Sequence, residues 1–126
     1  MYLRSRWFLL LLFVWLSGCD VFEAEGPVEV RVMNGADVTL DEGALYLPRD
    51  SIVFSGLGPG AFTDYREVDI AYRIASARVV SGTDTSGIQV VDYVGEKPLG
   101  PGQYTYVLAF FQDDPALPTL ALEKDR

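Results

Sequence analysis

Short runs in which apolar residues recur at every second position dominate this chain from residue 28 onward. The first run, residues 28–33, alternates three valines with Glu29, Arg31 and Met33. A period of two is the side-chain spacing of a β-strand with one buried face. Gly- and Pro-containing segments separate the runs, and a competing helical pattern occurs only over residues 63–80. Seven or eight short strands of this kind predict an all-β domain, an antiparallel β-sandwich.

The strongest strand pattern lies near the C-terminus. Residues 104–111 carry large apolar side chains at both sets of alternate positions, which predicts a strand that is covered on both faces. A last strand is expected over 119–123, with Leu120 and Leu122 facing the core.

Turn signals set the predicted connections. Asn34-Gly35 is a strong hairpin signal because both residues tolerate positive φ, so a turn over 34–37 and a strand over 38–40 are expected. The sequence also predicts polar or Gly-containing turns over 41–43 and 81–87. Further strands are expected over three stretches, 44–47, 51–55 and 88–93.

Residues 63–80 fit two periods. Ile70, Tyr72 and Ile74 alternate as in a strand, whereas a second set of apolar residues recurs at helical spacing, and Asp64 with Glu67 matches a capping box. We prefer strands because the segment is rich in β-branched residues. A helix near 63–80 would instead make the fold α+β, with one helix on the sheet.

The N-terminus has a different composition. Residues 1–6 carry Arg4 and Arg6, and residues 7–16 carry no charge. Ten residues in a helix reach about 15 Å, roughly half the hydrocarbon core of a bilayer. A basic start, a short apolar run and small residues after it predict a secretory signal peptide.

Leu16-Ser17-Gly18-Cys19 resembles the lipobox of bacterial lipoproteins at all four places. The resemblance implies that a signal peptidase recognises Leu16, Ser17 and Gly18 and cleaves before Cys19. It also implies diacylglyceryl transfer to the Cys19 sulfur and usually acylation of the new amino terminus. Two or three acyl chains hold a protein firmly on a membrane, whereas one holds weakly. The alternatives are an ordinary signal peptide, or an uncleaved short anchor, with a cysteine there by chance.

These observations divide the chain into three parts: a signal peptide, residues 1–18, a lipidated cysteine with a tether, residues 19–27, and a β-sandwich domain, residues 28–126. The expected location is the cell envelope, lipid-anchored to a bacterial membrane and facing the periplasm or the exterior. Asp20 directly after the cysteine marks inner-membrane retention in enteric bacteria. That sorting rule does not hold for all bacteria, so inner and outer membrane both stay open.

Composition excludes several kinds of site. The chain has no histidine and a single cysteine, Cys19, so Ser-His-Asp and Cys-His catalysis, the usual zinc sites and an internal disulfide are impossible. Acidic residues in turns, such as Asp84 and Asp113, are expected to be solvated rather than calcium ligands or catalytic pairs. We therefore predict no catalysis, no cofactor and no metal site.

Charge limits the partners. The whole chain has a net charge of −8, and residues 1–18 hold two arginines and no acidic residue, so the remainder is more acidic still. A strongly negative surface repels nucleic acid and anionic lipid. The expected partners are the membrane, through the lipid on Cys19, and an envelope protein or glycan; nucleic acid is not expected.

Residues 99–106 resemble the start of the penultimate strand in immunoglobulin-like and transthyretin-like bacterial surface modules, with a leucine, a Pro-Gly pair and tyrosines. The resemblance implies that Tyr104 or Tyr106 makes a hydrogen bond like that of a tyrosine corner. It names a scaffold rather than a function.

Two functions remain open. The first is a structural or protein-interaction module that docks an envelope protein through a sheet edge or a loop. The alternative is a lipoprotein that binds a glycan or a peptide through exposed tyrosines, for which Tyr46, Tyr65 and Tyr93 are the candidates. A long unprotected edge strand would favour the first, and one exposed concavity holding all three tyrosines would favour the second.

Overall fold

The computed structural model describes residues 26–126, so the predicted signal peptide, lipidation site and most of the tether lie outside the described residues. Eight strands form two sheets. Their bounds are β1 Val28–Asn34, β2 Leu40–Tyr46, β3 Ser51–Leu57, β4 Arg66–Val68, β5 Ser76–Ser81, β6 Asp84–Ile88, β7 Gly102–Phe110 and β8 Pro118–Lys124. A short 3-10 turn, Phe111–Asp113, lies between β7 and β8.

The two sheets have four strands each. Sheet A has the order β4-β1-β7-β8, and sheet B has the order β3-β2-β5-β6. Every strand pair is antiparallel except β1 with β7, which run parallel in register from Val28 opposite Gly102 to Asn34 opposite Leu108. The predicted β-sandwich is therefore confirmed, with one parallel pair in a mostly antiparallel structure.

The core lies between the sheets and follows the predicted alternation. In β1, Val30 and Val32 are fully buried, and β7 contributes Tyr106 and Leu108. In β8, the inward side chains pack against this core but remain half-buried. Sheet B supplies the facing side chains, which include Leu40, Leu45, Ile52, Phe54, Ala77 and Val79.

The helix considered for residues 63–80 does not form. The segment contains β4, an irregular stretch over 69–75 and then β5. The preferred strand interpretation is thus confirmed only at the two ends, where Val68 and Val79 are buried in opposite sheets. It is wrong for Ile70, Tyr72 and Ile74, whose alternation predicted a strand but which lie in the irregular stretch.

The hairpin predicted at Asn34-Gly35 is wrong. Strands β1 and β2 lie in different sheets, and neither Asn34 nor Gly35 has positive φ. The Asn34 side chain is fully buried and donates to the carbonyls of Val38, at 2.8 Å, and Leu57, at 2.9 Å. Its oxygen accepts the amide of Ala36 at 2.8 Å. Asn34 therefore satisfies backbone groups at a corner between the sheets instead of making a tight turn.

The turn predicted over 41–43 is also wrong, because β2 passes through it without a break. Any side chain at Gly43 would overlap the ring of Phe54 on the neighbouring strand. The glycine therefore makes room for an aromatic ring that covers it, a packing known from other sheets.

The polar turn predicted over 81–87 shrinks to Gly82-Thr83, and β6 occupies most of the segment. Gly82 has a φ of 60°, as the first position of a type II′ turn requires. The strand predicted over 88–93 retains only Ile88, and the residues that follow are irregular as far as β7. Strand β6 lies at an edge, where a polar sequence is tolerated without hydrophobic alternation.

Candidate functional site

Strand β8 forms one edge of sheet A, and its hydrogen-bonding phase is fixed at both ends. The amide of Phe111 donates to the carbonyl of Leu117 at 2.8 Å, and the amide of Asp125 donates to the carbonyl of Gln103 at 2.8 Å. An antiparallel ladder alternates bonded and non-bonded pairs, so every second residue of β8 between these points faces β7. The remaining residues direct their N–H and C=O groups away from the sheet.

The outward-facing residues of β8 are Pro118, Leu120, Leu122 and Lys124. Proline has no N–H, so the edge offers three donors and four acceptors. Within residues 26–126, no hydrogen bond between backbone groups uses the outward amides of Leu120, Leu122 or Lys124. This edge is a template for pairing with another strand.

Strand β3, at an edge of sheet B, is also seven residues long but is covered at both ends. Its outward carbonyls include those of Ser51 and Leu57. Arg66 donates from Nη1 to the Ser51 carbonyl at 2.7 Å, and Asn34 donates to the Leu57 carbonyl. Side chains from other segments therefore occupy part of the β3 edge.

An open groove lies between the start of β8 and the segment that follows β6. It has a volume of about 490 Å³, and its β8 wall is formed by Pro118, Thr119 and Leu120. The opposite wall is mostly aliphatic and includes Ile74, Ile88, Val90 and Val91. Val91 is 92% exposed, so this wall presents apolar surface to solvent.

The charges around this groove and edge are mostly negative. Asp92 lines the groove, Asp113 and Asp114 precede β8, and Glu123 is exposed on the strand itself. None of these four carboxylates forms an ion pair within the described part of the chain. The cation on β8 is Lys124, which lies 5.9 Å from the centre of the Tyr104 ring.

A second cluster lies on the outer face of sheet A. The Arg31 guanidinium lies between the rings of Phe62, 3.9 Å from its centre, and Tyr65, 4.5 Å from its centre. Arg31 Nε donates to Thr105 Oγ1 at 3.0 Å. Asp125 Oδ2 accepts from the hydroxyls of Tyr65, at 2.7 Å, and Thr105, at 2.5 Å.

The cluster shifts the pKa of two of its members. Burial opposes ionisation of Asp125, but hydrogen bonds from Thr105 and Tyr65 and the charge of Arg31 outweigh it, so the pKa of that carboxyl lies below its ordinary value. The same hydrogen bond to Asp125 raises the pKa of Tyr65. Because these groups hydrogen-bond to one another, the cluster holds Asp125, directly after β8, against sheet A.

The three candidate tyrosines do not come together. Tyr46 is 44% exposed on β2 in sheet B. Tyr65 belongs to the Arg31 cluster on sheet A, and Tyr93 stacks on Tyr72 with ring centres 4.5 Å apart. Burial raises the pKa of Tyr93. Each tyrosine therefore lies in a different environment, and they share no concavity.

The expected tyrosine bond forms at Tyr104, whose hydroxyl donates to the carbonyl of Gly100 at 2.8 Å. Tyr106 donates instead to the carbonyl of Tyr72 at 2.5 Å. Burial raises the pKa of Tyr106 far above its ordinary value. Tyr104 thus ties β7 to the segment that follows β6, and Tyr106 ties it to the segment between β4 and β5.

Sequence reasoning missed the Arg31 cluster and the identity of the open edge. Arg31 lies opposite Thr105 only because β1 pairs in parallel with β7, a strand that is far from it in the sequence. The period-two pattern gives the outward phase of Arg31 but not its neighbour on the next strand. The edge position of β8 depends in the same way on the order of the strands.

No protein-family model and no curated protein matches this chain. Between residues 26 and 126, no helix has the length and apolar character needed to cross a bilayer. In the same range, no three His, Cys, Asp or Glu side chains converge as a metal-binding group.

Proposed function

We propose that this chain is a bacterial lipoprotein of the cell envelope whose β-sandwich is a structural or protein-interaction module without catalytic activity. The single observation that supports docking is the open edge of β8, with three outward amides that bond to no other backbone group in residues 26–126. Exposed strand edges recruit other strands, and several peptide-recognition domains work in this way.

The lipobox supports the anchoring half of the proposal. A tether of eight residues after Cys19 reaches at most about 27 Å when extended, so the domain would stay close to its membrane. The amide of Gly102 donates to the carbonyl of Pro27 at 3.1 Å, and that of Gln103 to Arg126 at 3.1 Å. Residues 27 and 126 thus lie at the same end of sheet A. Strand β8 runs toward that end, so its start at Pro118 lies at the opposite end.

The anchor is tested by the intact mass of the full chain extracted from membranes of its native host. We expect a chain that begins at Cys19 and carries diacylglycerol, while Cys19→Ala stays unprocessed. An unmodified wild-type chain that still begins at Met1 would contradict the anchor.

The docking half is tested by placing a photo-crosslinking amino acid at Glu123 on β8, or at Val53 on β3, in the full chain in its host. Both side chains are exposed, so the pair is matched. We expect protein adducts from position 123 and few from position 53. Adducts from position 53 alone would show that docking uses another surface.

The glycan- or peptide-binding alternative has less support. Its three tyrosines lie in separate environments, and the hydroxyl of Tyr65 already donates to Asp125. A ligand would therefore meet one of these three tyrosines at a time, and they would offer it no shared stacking surface.

A further inference from the structure

We propose that β8 accepts, as an added strand, an extended segment of a partner protein in which apolar residues alternate with basic ones. The apolar side chains of this segment fill the groove beside Leu120, and its basic side chains lie on the acidic outer face. The inference rests on the proposed interaction function and specifies the chemistry of the partner.

Backbone pairing is the first step. Leu120, Leu122 and Lys124 each present one donor and one acceptor away from β7, and Pro118 adds an acceptor. An extended segment of about seven residues matches this spacing at every second position. Pairing of this kind gives affinity without depending on the sequence of the segment.

Side-chain alternation is the second step. Every second side chain of an added strand points to the same side as Leu120 and Leu122, which face the core. On that side the groove offers an aliphatic wall that includes Ile74, Ile88 and Val90. Apolar side chains at these positions would remove the exposed part of that wall from water.

Charge is the third step and decides between partners. The other side chains of the added strand lie on the outer face of β8, where Glu123 is the charged residue, and Asp113 and Asp114 precede β8 in the sequence. Basic residues at these positions complement the carboxylates and speed association. A second copy of this chain is a poor occupant, because its net charge of −8 before cleavage is also negative.

The test uses the full chain in neutral detergent micelles and nine-residue peptides with blocked ends. The probe alternates Val with Lys. Four comparison peptides are used. One alternates Val with Glu, and one groups the same Val and Lys residues in two blocks. The other two are Val/Lys peptides with N-methyl groups on the amides of one strand edge or of the other. Residue-level amide hydrogen exchange reports where each peptide binds.

With the Val/Lys peptide at saturation, we expect the amides of Leu120, Leu122 and Lys124 to exchange at least tenfold more slowly. The amides of Val53 and Ser55 on β3 should not change. The Val/Glu and block peptides should give no protection, and one N-methylated version should fail while the other binds. Equal protection by the Val/Glu or block peptide, binding by both N-methylated versions, or protection at β3 would overturn the proposal.

A matched pair of variants separates backbone pairing from side-chain contact. Leu122→Pro removes the outward N–H, whereas Leu122→Ala shortens the side chain and keeps that N–H. We expect Leu122→Pro to bind the Val/Lys peptide about fivefold more weakly than Leu122→Ala, the loss expected for one hydrogen bond. Equal affinities of the two variants would overturn strand addition. If Leu122→Pro fails to fold, Lys124→Pro and Lys124→Ala give the same comparison.

Other occupants give different results. Protection of the outward β8 amides that rises with protein concentration, without peptide, would indicate a second copy and overturn the proposal. Protection that is independent of concentration and is lost when residues 20–25 are deleted would indicate the tether and also overturn it. Adducts from position 123 in cells, together with failure of the Val/Lys peptide, would overturn strand addition and leave the docking function standing.

Discussion

Strands β3 and β8 are both seven-residue edge strands, yet their edges differ. The β3 edge receives side-chain donors at both ends, from Arg66 and Asn34. The β8 edge is protected from pairing only by Pro118, which lacks a backbone N–H at the first residue of the strand. Neither strand length nor hydrophobicity explains this difference. Within residues 26–126, side chains from other segments occupy two of the four outward carbonyls of β3 and none of those of β8.

The largest expected effect comes from removing the side chain that covers one end of β3. Asn34→Ala leaves the carbonyls of Val38 and Leu57 and the amide of Ala36 without their partner. We expect a loss of about 2–4 kcal/mol in the free energy of unfolding, measured in urea.

The neighbouring variant Asp37→Ala is the control for this measurement, because Asp37 is exposed and a surface substitution usually changes stability by less than about 0.5 kcal/mol. A loss below about 1 kcal/mol for Asn34→Ala would contradict the assigned role of this side chain.

The next effect compares the two sides of β8. Glu123 and Lys124 are adjacent and exposed, but the amide of Glu123 faces β7 while that of Lys124 faces outward. Glu123→Pro removes a ladder bond, and we expect a loss of about 2–3 kcal/mol in urea unfolding. Lys124→Pro should cost less than about 1 kcal/mol. Equal losses would mean that the assigned hydrogen-bonding phase is wrong.

A smaller effect is expected at Tyr104, which ties β7, the neighbour of β8, to the preceding turn. Tyr104→Phe removes the hydrogen bond to Gly100 and keeps the buried ring. We expect a loss of about 1 kcal/mol from thermal or urea unfolding. Tyr46→Phe is the control, since no hydrogen bond of its hydroxyl to another described residue is present and its ring is exposed. Equal losses in the two variants would contradict the stabilising role assigned to the hydrogen bond from Tyr104 to Gly100.

The smallest effect concerns Asp125, directly after β8, and the hydrogen bonds that its carboxylate accepts from Tyr65 and Thr105. The pKa of Asp125 is lower in the folded state than its ordinary value, so its charged form favours folding above about pH 4. That contribution is lost as the pH falls through the folded-state pKa. Urea unfolding between neutral and acidic pH should therefore show a shallower pH dependence in Asp125→Asn than in the wild type. Identical profiles would show that Arg31, Thr105 and Tyr65 do not stabilise this carboxylate.

Much of the fold was predictable because burial of one strand face leaves a period of two in the sequence. The positions of β1, β3, β7 and β8 follow from it, including the inward phase of Leu120 and Leu122. Strand β6 was missed because an exposed edge strand needs no such period. The hairpin at Asn34 was wrong because a buried side chain, rather than backbone conformation, uses that residue.

The candidate site was less predictable, because it depends on which strands become neighbours. Arg31 meets Thr105 through a parallel pair separated by more than seventy positions in sequence. Local patterns carry no information on such pairing, whose register is set by the packing of the whole core. The hydrogen bond from Arg66 to the Ser51 carbonyl at the β3 edge likewise cannot be predicted from a local pattern.

The most direct test of the central claim is amide hydrogen exchange along β8 in the full chain without any partner. We predict alternation, with slow exchange at Thr119, Ala121 and Glu123 and fast exchange at Leu120, Leu122 and Lys124. Slow exchange at all six amides would mean that the β8 edge is already covered, and it would contradict the account.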